Sequence, residues 1–255
     1  MLDDYIKEQN HITLLAILVI SYLMKIISLV GLTSSGKSII GVELAKRFNG
    51  EIISCDSRQV YRGLDIGTGK ITKEEMRGVP HHLIDIIDPG EGFDVYRFQQ
   101  LAFNAIEEII SRGKLPILVG GTGLYSRSVV ENYDFNGSMG KRKYDVLQFA
   151  LLPPKEWLEN RILERNSERF RMGMLDEIQG MPRDWLYGLG YEYRLNIDLI
   201  EGKITQEDYK LKFQQESMRY AKRQRTWFKK EKNTIFLSDY KVDQLALYIN
   251  DFLGV

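Results

Sequence analysis

The chain has 255 residues, 44% hydrophobic and 27% charged, with 35 basic side chains against 35 acidic ones and a single cysteine. That size and balance fit one globular α/β domain with at most a small appendage, and zero net charge excludes a global basic field for nucleic acid, so any such surface must be local. The lone Cys55 excludes an intramolecular disulfide and a cysteine-based zinc site and reads as core filler, which favours a cytoplasmic protein.

At the N-terminus, Ile12 to Met24 is apolar apart from Thr13 and Ser21, but it is shorter than the roughly 20 residues a membrane span needs. The first residues carry Asp3, Asp4 and Glu8 against Lys7, and no clear small-residue cleavage site follows, which does not suit a signal peptide. Residues 1–23 are therefore expected to be an extension without function, from an extra helix or an upstream start, with Met24 opening the working protein. No stable membrane association is expected.

Ile26–Val30 reads as a buried strand. It runs into Gly31-Leu32-Thr33-Ser34-Ser35-Gly36-Lys37-Ser38, the pattern G-x-x-x-x-G-K-[ST], and Lys37–Phe48 follows with helical spacing. In that order, loop N–H groups and a helix N-terminus make a site for anionic oxygens. Lys37 can reach a terminal phosphate, and the Ser38 hydroxyl can join a Mg²⁺ shell. The bland alternative is a glycine-rich turn that merely joins strand to helix. Read alone, the loop says polyphosphate, as in an ATP or GTP enzyme, without saying which one.

The next strand, Glu51–Cys55, delivers Asp56-Ser57-Arg58-Gln59-Val60-Tyr61. Asp56 at a strand end could hold Mg²⁺ through water, accept a proton from a nucleophile, or cap a helix, and spacing alone leaves these open. Ser57 and Gln59 offer hydrogen-bonding groups suited to a nucleobase edge. A strand is predicted over His82–Ile87. The adjacent His81 and His82 would face opposite sides of it, so a local hydrogen-bonding role fits better than a shared metal. Asp85 and Asp88 are the only good substitutes for the carboxylate with which phosphate-loop hydrolases and kinases position Mg²⁺.

A helix is predicted over Val95–Ser111 and a strand over Leu115–Val119, ending in Gly120-Gly121-Thr122-Gly123-Leu124-Tyr125. Those glycines either let backbone approach a ligand or simply turn the chain, with Thr122 as the N-cap of a helix over Leu124–Glu131. Tyr133–Lys143 is polar and reads as a loop. The strand Val146–Leu152 and the helix Lys155–Arg165 follow, and beyond Pro153-Pro154 the chain is mostly helical. Thr205–Lys230 reads as one long helix capped by Thr205, and Thr234–Leu237 as a last strand. The basic and aromatic run Arg219–Lys230 is either a solvated face or part of the site. Tyr220, Arg223 and Trp227 share one helix face, so Arg223 could be held by aromatic packing while reaching the phosphate loop. Strands alternating with helices imply a mostly parallel sheet with ligands outside its carboxyl ends.

Together these motifs resemble the tRNA dimethylallyltransferase (isopentenyltransferase) family of the bacterial type, from about Met24 to the C-terminus. The resemblance rests on Gly31–Ser38, on the run from Gly50 through Asp56-Ser57-Arg58-Gln59 to Thr68, on Gly78-Val79-Pro80-His81-His82-Leu83-Ile84-Asp85, on Leu118 to Tyr125, and on Tyr220-Ala221-Lys222-Arg223-Gln224 with Thr226-Trp227-Phe228. It implies a P-loop NTPase-like three-layer α/β fold, a mostly parallel sheet and a helical C-terminal region. It implies transfer of the dimethylallyl group of dimethylallyl diphosphate to N6 of an adenosine beside the tRNA anticodon, with diphosphate released and Mg²⁺ as cofactor. By resemblance, Gly31, Leu32, Thr33, Ser34, Ser35, Gly36, Lys37 and Ser38 hold the diphosphate, with Ser38 on the metal. Asp56 is the base, Thr122 and Arg223 complete the catalytic set, and Asp56, Ser57, Arg58, Gln59 and Thr122 meet the acceptor. A monomer is expected.

One departure is large. The family inserts a helical, tRNA-gripping subdomain after the Gly121–Tyr125 motif, whereas here Glu131 passes through a short stub at 132–143 almost directly to the next strand. The chain thus divides into an extension, 1–23, and a prenyltransferase core, 24–255, with the stub in place of the insertion. tRNA would then be held by what remains, including Lys141-Arg142-Lys143 and the Arg219–Lys230 helix. Three alternatives stay open: an enzyme acting on free AMP, ADP or ATP, a non-catalytic nucleotide- or RNA-binding descendant, and a small-molecule kinase.

Overall fold

The computed structural model describes residues 24–136 and 140–255. The extension 1–23 and positions 137–139 of the stub lie outside the described residues. Six strands form one sheet: β1 (Lys25–Gly31), β2 (Gly50–Ser54), β3 (His81–His82), β4 (Leu115–Gly120), β5 (Asp145–Leu151) and β6 (Thr234–Leu237). Their order is β3-β2-β4-β1-β5-β6, and every neighbouring pair is parallel. β2 and β4 are buried at every position and β1 at all but its first, because helices cover both faces. After β1 the chain winds to one side of the sheet, and with β5 it winds to the other. The loop after β1 therefore stands at the reversal point where such sheets bind ligands.

On one face, α1 (Lys37–Arg47) and α10 (Val242–Leu253) close a core of Val42, Leu44, Leu245 and Ile249 over Ile27, Leu29, Ile117 and Phe149. On the other, α3 (Val95–Ser111) and α4 (Gly123–Val130) bring Phe98, Phe103, Ile106 and Tyr125 against Ile26, Ile53 and Leu118. A third core covers the carboxyl ends of β1 and β5. There α5 (Lys155–Arg171) and α9 (Gln206–Phe228) pack Leu158, Ile162, Tyr209, Phe213 and Phe228 on Val30, Leu32 and Ala150. Thr205 caps α9 by accepting from Asp208 N at 3.1 Å. Short helices α2 (Lys73–Met76), α6 (Met174–Glu177), α7 (Arg183–Leu189) and α8 (Tyr191–Ile200) complete the rim. This is the mostly parallel three-layer architecture with a helical C-terminal region. Among the described residues no helix is long and apolar enough to cross a membrane.

The predicted strand over His82–Ile87 is corrected to two residues, His81–His82. Leu83 and Asp85 adopt φ of 61° and 55°, left-handed values that end a strand. The kink serves tertiary bonds: Asp85 N donates to Gln59 O at 3.1 Å, and the Asp85 carboxylate pairs with the nearly buried Lys70. Asp88 pairs with Arg62 at 2.8 Å, so both candidate metal carboxylates are engaged by cations of this same region. The histidines do bond locally, His81 Nδ1 with Val79 O at 2.8 Å and His82 Nε2 with Glu51 Oε2 at 2.7 Å. Glu51 also receives Arg112 and Lys114. Burial pushes its pKa up, but hydrogen bonds from Arg112, His82 and Lys114 outweigh it and hold the carboxyl at about 2. Cys55 is buried, and that burial raises its thiol pKa far above the ordinary range, as core filler requires.

Candidate active site

β1 must end in glycine, because a Cβ on Gly31 would lie 2.8 Å from Leu151 O. The loop then turns through left-handed conformations at Ser34 and Gly36, with φ of 59° and 81°, into α1. Leu32 N donates to Leu151 O at 3.2 Å, Thr33 N to Gln224 Oε1 at 2.8 Å, and Ser35 N to Leu32 O at 3.2 Å. Those three amides are engaged inside the protein, so Leu32 and Thr33 have no amide left for an anion. The amides of Gly36, Lys37 and Ser38 open α1, where N–H groups lack intrahelical carbonyls and carry the positive end of the helix dipole. Lys37 Nζ donates to Leu32 O at 3.1 Å. Burial lowers its pKa to about 8, with Asp56 opposing that shift and Arg165 adding to it.

The second wall comes from β2 and β4. A Cβ on Gly120 would lie 2.2 Å from Cys55 O, so only glycine allows this approach. Cys55 N donates to Val119 O at 2.8 Å and Thr122 N to Cys55 O at 3.2 Å, which sets the two strand ends side by side. Thr122 occupies the N-cap position of α4 but does not cap; its Oγ1 accepts from Ser57 N at 3.2 Å. Asp56 Oδ1 accepts from Arg58 N at 2.9 Å and Gln59 N at 3.4 Å. The turn thus fixes one carboxylate oxygen, and the residue still borders a cavity. The capping alternative for Asp56 survives only as this turn, since no helix begins there.

Three cavities adjoin along the loop. The first, about 190 Å³, is lined by Lys37, Ser38, Lys70, Arg161, Arg165 and Arg169. A neck of about 60 Å³ is lined by Thr33, Ser34, Ser38, Asp56, Gln59 and Gly69. The third, about 300 Å³, is lined by Asp56, Ser57, Arg58, Thr122, Tyr220 and Arg223. Lys37 and Arg169 border all three. Gln59 borders the neck and not the wide chamber; its Oε1 accepts from Ser54 Oγ at 3.2 Å. The Arg223 guanidinium lies 5.6 Å from the Tyr220 ring centroid, the aromatic support its helix position implies. Trp227 turns elsewhere, against Gly123 and the Arg127 guanidinium. In the rest of the basic run, Arg219 pairs with Glu216, and Lys222, Lys229 and Lys230 stand exposed.

Sequence reasoning missed Arg165 and Arg169. A helix ending at Arg165 hides the pattern, whereas α5 runs to Arg171 and puts Arg161, Arg165 and Arg169 on one face. Burial, then the charges of Arg169 and Arg161, lower the Arg165 pKa to about 10. A Cβ on Gly69, at φ 59°, would lie 2.1 Å from Arg169 Nη2, so this glycine makes room for the guanidinium. The segment carrying Gly69 is held by Glu177, which accepts from Asp65 N at 2.7 Å and Gly67 N at 2.9 Å. A second carboxyl, Glu192, lines the wide chamber 3.7 Å from Arg169. Burial raises its pKa, Arg169 opposes, and Asp56 adds to the rise.

A model of the IPP transferase family matches residues 59–142 and 134–231, two pieces that overlap within the stub. A tRNA dimethylallyltransferase of Exiguobacterium sp. is 34% identical, with 83% of this chain and 89% of that protein covered. Its alignment spans 278 positions, while 83% of 255 residues is about 212, so roughly 66 positions face no residue here. Solved structures are similar as well, two of them bacterial. The full-length tRNA isopentenylpyrophosphate transferase of Bacillus halodurans has 34% identity and a TM-score of 0.78, covering 91% of this chain and 96% of that one. The tRNA isopentenylpyrophosphate transferase of Staphylococcus epidermidis has 31% identity and a TM-score of 0.81, covering 89% and 99%.

Proposed function

The chain belongs to the IPP transferase family, and from that premise we propose how its residues work as a tRNA dimethylallyltransferase. The reaction joins N6 of an adenosine beside the anticodon to C1 of the dimethylallyl group, and diphosphate leaves. One observation carries the assignment of parts: Asp56 borders both the phosphate-loop neck and the wide chamber. The diphosphate of the donor occupies the neck, and the acceptor adenine enters the chamber.

An exocyclic adenine amine is a weak nucleophile, since its lone pair is delocalised into the ring. As the N6–C1 bond forms and the C1–O bond breaks, the nitrogen becomes acidic and Asp56 takes its proton. Thr122 orients the amine, while Ser57 and Arg58 line the acceptor's side. Charge grows on the departing diphosphate, and the loop amides, Lys37, Arg165 and Arg169 stabilise it, with Arg223 reaching in from the chamber. Ser38 lies at the neck, and among the described residues no cluster of three carboxylate, histidine or cysteine side chains could cage a cation. That suits Mg²⁺, which binds through few protein ligands and substrate phosphates. Held by the Ser38 hydroxyl and the diphosphate, it would neutralise charge on the leaving group. The adenosine must leave the anticodon stack at a cost of about a few kcal/mol.

We further propose that the chain lacks the family's helical insertion. The short stub supports this, as does an alignment longer than the chain it covers. tRNA is then gripped by the remaining surface around α9. The trio Lys141-Arg142-Lys143 contributes less than its charge suggests, because Arg142 pairs with Glu131 and Lys143 lies over Phe103. The test is transfer from labelled dimethylallyl diphosphate with Mg²⁺, offering total tRNA or AMP. Label in tRNA is expected. Label only in AMP would make the protein a free-nucleotide enzyme, and label in neither would make it a non-catalytic descendant.

A further inference from the structure

Gln224 closes the Tyr220-Ala221-Lys222-Arg223-Gln224 motif with no role of its own assigned, yet its side chain joins the two loops of the site. It is 7% exposed. Oε1 accepts from Thr33 N at 2.8 Å, and Nε2 donates to Gly121 O at 2.9 Å. The partners dictate this orientation, since an amide N–H only donates and a carbonyl only accepts. A Cβ on Gly121 would lie 2.8 Å from Gln224 Nε2, so the glycine is shaped to this contact. One carboxamide therefore ties the phosphate loop to the turn that carries Thr122. It does so from α9, where Tyr220, Arg223 and Gln224 all line the wide chamber.

We infer that Gln224 is a positioning residue, a strut that holds the phosphate loop, Thr122 and Arg223 in one geometry by closing Thr33 N to Gly121 O. The inference rests on reading the loop as the donor-diphosphate site. With Thr33 N occupied, the loop cannot swing that amide toward the anion, and the amides of Gly36 to Ser38 become the anion-facing set. A side chain that only filled space would do none of this.

The test exploits an isostere that switches with pH. A protonated glutamic acid keeps a carbonyl oxygen for Thr33 N and an O–H for Gly121 O. Its carboxylate keeps the first bond but turns a second lone pair on Gly121 O. Gln224→Met removes both bonds. Lys37, Asp56, Arg58, Arg169, Glu192, Arg194, Glu216, Tyr220 and Arg223 line the same chamber and titrate or carry charge in wild type and variants alike. The readout is therefore the ratio of variant to wild-type affinity at each pH. The probe is Mg²⁺ with inorganic diphosphate, measured by calorimetry.

At pH 8, Gln224→Glu should bind at least about tenfold more weakly than wild type, and by pH 5.5 the gap should close to about threefold. Gln224→Met should be weaker throughout and show no recovery. Thr33 amide exchange should be protected in wild type and fast in Gln224→Met. Acid recovery is something a misfolded variant does not show. Wild-type binding with both variants within twofold at every pH, or unchanged Thr33 exchange in Gln224→Met, overturns the strut and leaves the donor site standing. Failure of wild type to bind diphosphate overturns the donor-site reading and the strut with it.

Discussion

Replacing Lys37 by methionine is expected to stabilise the free protein while abolishing diphosphate binding. Burial lowers the Lys37 pKa from 10.5 to about 8. At 1.36 kcal/mol per unit, holding this amine charged costs the fold about 3 kcal/mol. Part of the side chain reaches water, so we take about 2 kcal/mol. Losing the bond to Leu32 O offsets about 1 kcal/mol of that. The net gain of about 1 kcal/mol should raise Tm by about 2–4 °C for a domain of this size. The pH dependence has a definite sign. Between pH of about 8 and 10.5 the unfolded chain binds more protons at Lys37 than the folded one, so wild-type stability gains a rising term there. The variant lacks that term. The assay is thermal unfolding of both proteins at pH 7 and 9.5, with and without Mg²⁺ and diphosphate. A variant that melts below wild type at pH 7, or shifts equally between the two pH values, would refute the claim that Lys37 is a desolvated charge awaiting an anion.

Glu51→Gln should cost about 1–3 kcal/mol in denaturant unfolding, because it takes the charge from a buried carboxylate that accepts from Arg112, His82 and Lys114, while those partly exposed partners can turn to water. In wild type the Glu51 contribution is complete above pH of about 4.5 and disappears as pH falls toward about 2; a variant with the same acid profile would refute this. Arg169→Met should raise the donor KM by about 10–100-fold, the loss of one charge-assisted contact, and an unchanged KM would remove Arg169 from the diphosphate site. Gly69→Ala should weaken donor binding with Arg169 still present, since the new Cβ would lie 2.1 Å from Arg169 Nη2; equal donor affinity would show that this close approach is not required.

Much of the fold was legible because each element carried its own signal. The helix predicted over Val95–Ser111 is α3 to the residue, and the structure adds its cap, Asp94, whose side chain accepts from Arg97 N; the run from Ile26 to Ser38 reads as strand, loop and helix without help from elsewhere. Asp56 and Thr122 were legible as strand-end residues, but their geometry was not. Thr122 looks like a cap and serves Ser57, and Asp56 looks like a cap and braces a turn. The failures were tertiary. Leu83 to Ile87 has the apolar content of a strand, but contacts from Gln59, Val60 and Lys70 pull it out of the sheet. Trp227 shares a helix face with Arg223 yet packs on Gly123, because α9 meets different partners along its length. Gln224 was legible only as the last residue of the Tyr220–Gln224 motif, and its role was not, since nothing local links it to Thr33 or Gly121.

In the proposed mechanism Asp56 works at the junction of donor neck and acceptor chamber, taking the N6 proton as C1 is transferred. Single-turnover transfer from dimethylallyl diphosphate to tRNA by Asp56→Asn tests it most directly, with donor affinity measured in parallel. Asparagine keeps an oxygen for Arg58 N and Gln59 N, so the turn survives. Transfer should fall by about 10²–10⁴-fold while donor affinity stays within about threefold of wild type. Transfer within tenfold of wild type, or a loss of donor binding in its place, would remove Asp56 as the base.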